Sequence, residues 1–114
     1  MPMVKVLISK SAEDRTALAK AVTAAAVQAT GKAERYMQVI LEENAHIMFA
    51  GNDSEPSAML EVRALGGLEH PVCIKFSELV CRVLREQLGI APERVYINYM
   101  EFPPDKWGWN STTF

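Results

Sequence analysis

The chain has 114 residues, 49% hydrophobic and 23% charged, with a formal net charge of −2. That length makes a single domain, residues 1–114, burying about two thirds of its unfolded surface. With Lys and Arg nowhere densely clustered, no nucleic-acid partner is expected, and no apolar run approaches the roughly 18 residues that cross a bilayer, so no membrane partner either.

In chain order, Met1-Pro2 is followed by Val4, Val6 and Ile8 alternating with Met3, Lys5 and Leu7, which predicts a strand over Met3–Ser9. Pro2 stands at its mouth, where a missing N–H is tolerated. A helix is predicted from Ser11, with Ser11 and Asp14 as a capping box. Its apolar face is Leu18, Ala21, Val22, Ala25 and Ala29, and Gly31 is its cap. A second strand spans Tyr36–Glu42, and the short run Ile47–Ala50 reads as an extra one. The polar, turn-forming stretch Gly51–Pro56 separates the halves. A third strand covers Ala58–Leu65. The second helix begins near Pro71, shows the face Val72, Phe76, Leu79, Val80, Val83 and Leu88, and ends at Gly89. The fourth strand is Arg94–Glu101.

This order is a weak internal repeat of two βαβ units. It predicts an α/β two-layer sandwich: a four-stranded mixed sheet with both helices on one face, plus short edge strands. The strands of a βαβ unit are parallel and begin at the same edge of the sheet. Pro2 therefore meets Lys32 and Tyr36 at one end. If the second unit runs antiparallel to the first, Ala64-Leu65-Gly66 arrives there too.

Cys73 and Cys81 lie eight apart in a helical pattern, so they read as two small buried apolar side chains rather than a disulfide. His46 and His70 have no neighbours at metal-ligand spacing, so neither metal nor other cofactor is expected. The Asn-x-Ser/Thr triplets at Asn52 and Asn110 read as chance in a chain without a signal-peptide layout, which places the protein in the cytoplasm.

Pro2 also carries potential chemistry. An initiator Met is generally removed before a small residue, which would leave Pro2 with a free secondary amine. An exposed α-amino group titrates at about 7.7–8.0, and burial or a nearby cation lowers that value toward working pH. A general base operates best there. Taken alone, a proline blunting a sheet edge is the simpler reading.

The joint pattern changes the weighting. Met1-Pro2-Met3, Ala29-Thr30-Gly31-Lys32, Ser54-Glu55-Pro56, Arg94-Val95-Tyr96-Ile97-Asn98-Tyr99, Gly108-Trp109-Asn110 and Ser111-Thr112-Thr113-Phe114 run nearly end to end. Together they resemble the macrophage migration inhibitory factor family of the tautomerase superfamily. That resemblance implies the two-βαβ sandwich, a homotrimer, and a pocket between subunits around Pro2. It implies a keto–enol tautomerase acting on small aromatic keto acids such as phenylpyruvate, or on dopachrome derivatives. Pro2 would be the base, and Lys32 would hold the substrate carboxylate or polarise its carbonyl. The Leu65 N–H would bind a substrate oxygen. Tyr36, Trp109 and Phe114 would wall the ring, with Trp107 as an addition. Tyr96 and Asn98 would reach in from the neighbouring chain; both share parity on their strand and point the same way. The family's Cys-x-x-Cys pair is replaced here by Ser57 and Leu60, which removes that redox function. The alternative reading is a cytokine-like protein, secreted without a signal peptide and binding a receptor, with tautomerase activity vestigial or secondary.

Overall fold

The computed structural model describes residues 2–114. Strand β1 is Met3–Ile8, helix α1 Arg15–Thr30, β2 Gln38–Glu42, β3 Ala58–Ala64, α2 His70–Leu88 and β4 Val95–Glu101. A terminal hairpin adds β5, Gly108–Trp109, and β6, Thr112–Thr113. The main sheet has the order β2-β1-β3-β4. Its outer pairs are parallel and its central pair, β1 with β3, is antiparallel. This is the predicted two-layer sandwich with a mixed four-stranded sheet.

Alternation along the strands builds the core. Val4, Val6 and Ile8 of β1 and Ala58, Leu60, Val62 and Ala64 of β3 are buried. Leu18, Val22, Ala25 and Ala26 of α1 and Phe76, Val80, Leu84 and Leu88 of α2 are buried with them. The alanines let α1 lie close to the sheet. Both helices end on a left-handed glycine, Gly31 at φ 70° and Gly89 at φ 67°, where a Cβ would be strained. Each glycine is followed by a short 3-10 turn, Glu34–Tyr36 in one half and Pro92–Arg94 in the other, so the repeat extends into the connections.

Several expectations are corrected. Helix α1 starts four residues later than Ser11, because Asp14 is the N-cap and accepts the Ala17 N–H at 3.0 Å. Ser11 Oγ bonds Asn44 Oδ1 instead. Strands β2 and β4 start later than predicted because the 3-10 turns take Tyr36 and Arg94. Ile47–Ala50 forms no strand; it holds one bridge, Phe49 to Asn52, closed by left-handed Ala50 and Gly51. The buried face of α2 includes Leu84 beside the predicted residues. Cys73 and Cys81 are free and half-buried rather than buried, and burial raises both thiol pKa values. Ser57 and Leu60 both lie fully within the core.

Tyr99 ties α2 to β4. Its hydroxyl donates to the Cys73 carbonyl at 2.9 Å and lies 2.6 Å from Ser77 Oγ. Burial pushes its pKa from 10.0 up to about 12. A phenol whose folded pKa is raised contributes stability that is complete below the unfolded value and lost as pH rises through the folded one. Stability is therefore expected to fall between pH 10 and about 12. Tyr99→Phe should flatten that alkaline limb in denaturant titrations, and an unchanged limb would contradict this assignment.

Candidate functional site

The sheet edge where β1 begins gathers most of the predicted residues. Pro2 is fully buried, and its carbonyl accepts the Gln38 N–H at 3.2 Å as β2 starts alongside. Met3 stands opposite both Gln38 and Arg63. The end of β3, with Leu65 just beyond it, therefore flanks Pro2 as the antiparallel pairing required. Lys32 follows the αL cap of α1, which turns the chain back toward the sheet. Its Nζ donates to the Gly66 carbonyl at 2.6 Å. Lys32 and the Leu65–Gly66 turn are thus in direct contact although 34 residues separate donor and acceptor.

That turn needs its glycines. Gly66 and Gly67 sit at φ +80° and +77°. A Cβ on Gly67 would stand 2.9 Å from Lys32 Cε and 3.2 Å from its Nζ. On the other side, Glu101 Oε2 accepts the Leu68 N–H at 3.4 Å. Gly67→Ala is expected to cost about 1–2 kcal/mol through the left-handed backbone. It should also push Lys32 off the Gly66 carbonyl. Chemical denaturation checks the first effect, and a loss under about 0.5 kcal/mol would contradict it.

Three aromatics continue from this edge. Tyr36 meets Trp109 edge-on at 5.8 Å, and Trp109 stacks on Phe114 at 5.7 Å. They remain 36%, 51% and 46% exposed respectively, an open aromatic row rather than a core. The β5–β6 hairpin presents Trp109 and places Phe114; its turn residues Asn110 and Ser111 both have positive φ, the backbone of a two-residue hairpin turn. The Arg35 guanidinium lies 4.8 Å above the Tyr36 ring.

Tyr96 and Asn98 are not brought to Pro2 within the chain. Through Met59, Tyr96 lies level with Leu7, and through Glu61, Asn98 lies level with Lys5. Five residues of strand put Tyr96 about 16 Å along the sheet from Pro2, and two strands across it. Both side chains are exposed on the face opposite the helices. Tyr96 packs on Phe49 at 4.8 Å and borders a cavity of about 310 Å³ lined also by Ile47, Met48 and Met59.

Sequence reasoning missed the Gly66-Gly67 pair, whose adjacency was the available signal, and the structural weight of Arg94. That side chain is buried, and its guanidinium donates to the carbonyls of Phe49, Asn52, Glu55 and Pro56. Arg94 thereby fixes the segment that carries Phe49 under Tyr96.

A β-α-β-β-α-β sandwich with a buried proline at the first strand's mouth, and a lysine bonded to the turn that follows the third strand, defines a narrow structural class. The macrophage migration inhibitory factor family model matches residues 1–114. The chain belongs to that family. It is 36% identical over 87 residues to the macrophage migration inhibitory factor of Rattus norvegicus, covering 76% of this chain and 75% of that protein. The crystal structure of a macrophage migration inhibitory factor homologue from Prochlorococcus marinus matches with a TM-score of 0.92 at 30% identity, covering 98% of each chain. The fold also matches Pt0534 inactivated by 2-oxo-3-pentynoate, with a TM-score of 0.85 at 22% identity over 97% of this chain and 94% of that one.

Proposed function

We propose that this protein, as one domain over residues 1–114, is a keto–enol tautomerase of the phenylpyruvate and dopachrome type, with Pro2 as its general base after removal of Met1. Met1 itself lies outside the described residues. The observation that carries the reading is the convergence of Pro2, Lys32 and the Leu65–Gly66 turn at one sheet edge beside an exposed aromatic row.

In the forward direction, the neutral Pro2 nitrogen takes a proton from the carbon next to the ketone of a 2-oxo acid. The electron pair of that C–H bond becomes the enolate double bond and the carbonyl pair moves to oxygen. The proton held on Pro2 then passes to that oxygen and gives the enol. Pro2 ends as it began. Freed of Met1, the nitrogen of a ring buried in this way would be disfavoured in its charged form, the direction a base working near neutrality needs. Lys32 would pair with the substrate carboxylate, or with the developing oxyanion, from the Gly66 turn. The Leu65 N–H would reach the same oxygen, and Tyr36, Trp109 and Phe114 would hold the ring.

A homotrimer completes this reading. Tyr96 and Asn98 lie too far from Pro2 to serve it within one chain, and they sit on a sheet face that also exposes Ile40 and Met100. A neighbouring subunit would bring them to the pocket. Intact mass and phenylpyruvate turnover on one sample test the proposal. The expected result is a chain lacking Met1 that ketonises the enol. Retained Met1 would make the Pro2 nitrogen an amide with no basic pair, and absent turnover in the processed protein would contradict the reading outright.

A further inference from the structure

A second cavity, of about 260 Å³, opens at the same end of the sheet, lined by Met3, Arg63, Phe102, Lys106, Trp107 and Gly108. Met3 directly follows Pro2 and pairs with Arg63 in the β1–β3 register. The Phe102 N–H bonds the Ala64 carbonyl at 2.8 Å, one residue before Leu65, and the Phe114 N–H bonds the Trp107 carbonyl at 3.2 Å. The cavity is therefore continuous in the backbone with both the Leu65 turn and the aromatic row. Its walls include Phe102 and Trp107, edge to face at 5.8 Å.

Two cations line this space, and among the described residues neither has a strong partner. Arg63 Nη2 is 3.9 Å from Glu61 Oε1, and Lys106 Nζ is 3.7 Å from Asp105 Oδ2. Charge-assisted hydrogen bonds run at about 2.7–2.9 Å, so neither contact is one. Exposed pairs of this length contribute little. A chain of net charge −2 thus presents a guanidinium and an ammonium together against aromatic rings, one residue from its proline.

We propose that the substrate carries a second anionic group. It would be an aromatic 2-oxo acid whose first carboxylate meets Lys32 and whose second, on the far side of the ring, sits between Arg63 and Lys106. This deepens the tautomerase reading and rests on it. The Arg63 fork suits a carboxylate, Lys106 adds a mobile point charge, and Phe102 and Trp107 would extend the ring's cover from the Tyr36, Trp109 and Phe114 row toward that second charge.

The test compares (4-carboxyphenyl)pyruvate with phenylpyruvate on the full chain, by turnover and by quenching of tryptophan fluorescence. The dianion is expected to show kcat/KM higher, and Kd lower, by about tenfold or more, a margin that shrinks as salt rises. Arg63→Gln and Lys106→Gln should each erode the ratio between the two acids, and the double variant should bring it near one. A ratio near one in the unmodified protein, or one that survives the double variant, overturns the proposal. Lys106 is largely exposed, so Lys106→Gln and the salt series stand even if Arg63→Gln fails to fold. Turnover of phenylpyruvate without a preference sinks this inference and leaves the tautomerase reading intact. Absent turnover of both acids sinks that reading, while the fluorescence titration still reports on the second-anion site.

Discussion

Replacing Pro2 by glycine is expected to lower kcat/KM for phenylpyruvate by about 10²–10⁴-fold, the range a positioned general base contributes. The variant still has a small second residue, so Met1 removal should continue, and the primary amine of glycine keeps a basic nitrogen. It loses the ring that fixes the direction of the lone pair and that is fully buried at the mouth of β1. The sheet should survive, because the hydrogen bond made here, from Gln38 N–H to the residue 2 carbonyl, is a backbone contact glycine also supplies. An unaltered denaturation midpoint with collapsed turnover is the expected pair of results. Turnover within about threefold of the unmodified protein would mean that the proline ring is not what makes residue 2 an effective base.

Arg94→Ala is expected to cause the largest loss of stability, about 3–5 kcal/mol. A hydrogen bond to a charged donor contributes about 1.5–3 kcal/mol, and this buried guanidinium makes four such bonds to carbonyls of the Phe49–Pro56 segment. Removing it strands those acceptors and opens a cavity beside Phe49, whose ring lies 5.3 Å from the guanidinium carbon. Arg94→Lys should recover only part of the loss, since a point charge cannot reach four carbonyls in a planar fork. The Glu55 carboxylate, 4.0 Å away and exposed, adds little. Because Phe49 supports Tyr96, the variant should also loosen the side chain proposed to serve a neighbour's pocket. A shift below about 1 kcal/mol in urea titration would contradict this role.

Most of the fold was legible because it is written in two periodicities. Val4, Val6 and Ile8 announce a half-buried strand, and Leu18, Val22 and Ala25 announce a helical stripe. Glycine at each helix end fixed the C-termini, since Gly31 and Gly89 adopt the backbone that only glycine takes freely. The N-terminus of α1 was misread because two residues could cap it, and only tertiary contacts show that Ser11 is drawn to Asn44 while Asp14 turns inward to the helix. Ile47–Ala50 misled for the opposite reason. Its composition is strand-like, but among the described residues it has no partner strand, only the bridge to Asn52.

The candidate site was legible at the edge where topology alone does the gathering. A parallel βαβ unit must bring Pro2 and Lys32 together, and the antiparallel β1–β3 pair must deliver Leu65. What no local pattern encodes is a network closed over long sequence distance. In the sequence Arg94 looks like one charged residue at the head of a strand, and its role emerges only when the Phe49–Pro56 segment folds around it. Arg63 and Lys106 likewise gain meaning from sharing one cavity.

The most direct measurement is a titration of the Pro2 nitrogen itself, by ¹⁵N NMR on protein labelled at proline. The nitrogen should be an amine whose protonation midpoint falls below the roughly 7.7–8.0 of an exposed chain terminus. An amide resonance that does not titrate, or an amine still protonated above about pH 8, would contradict the proposal that this proline works as a base.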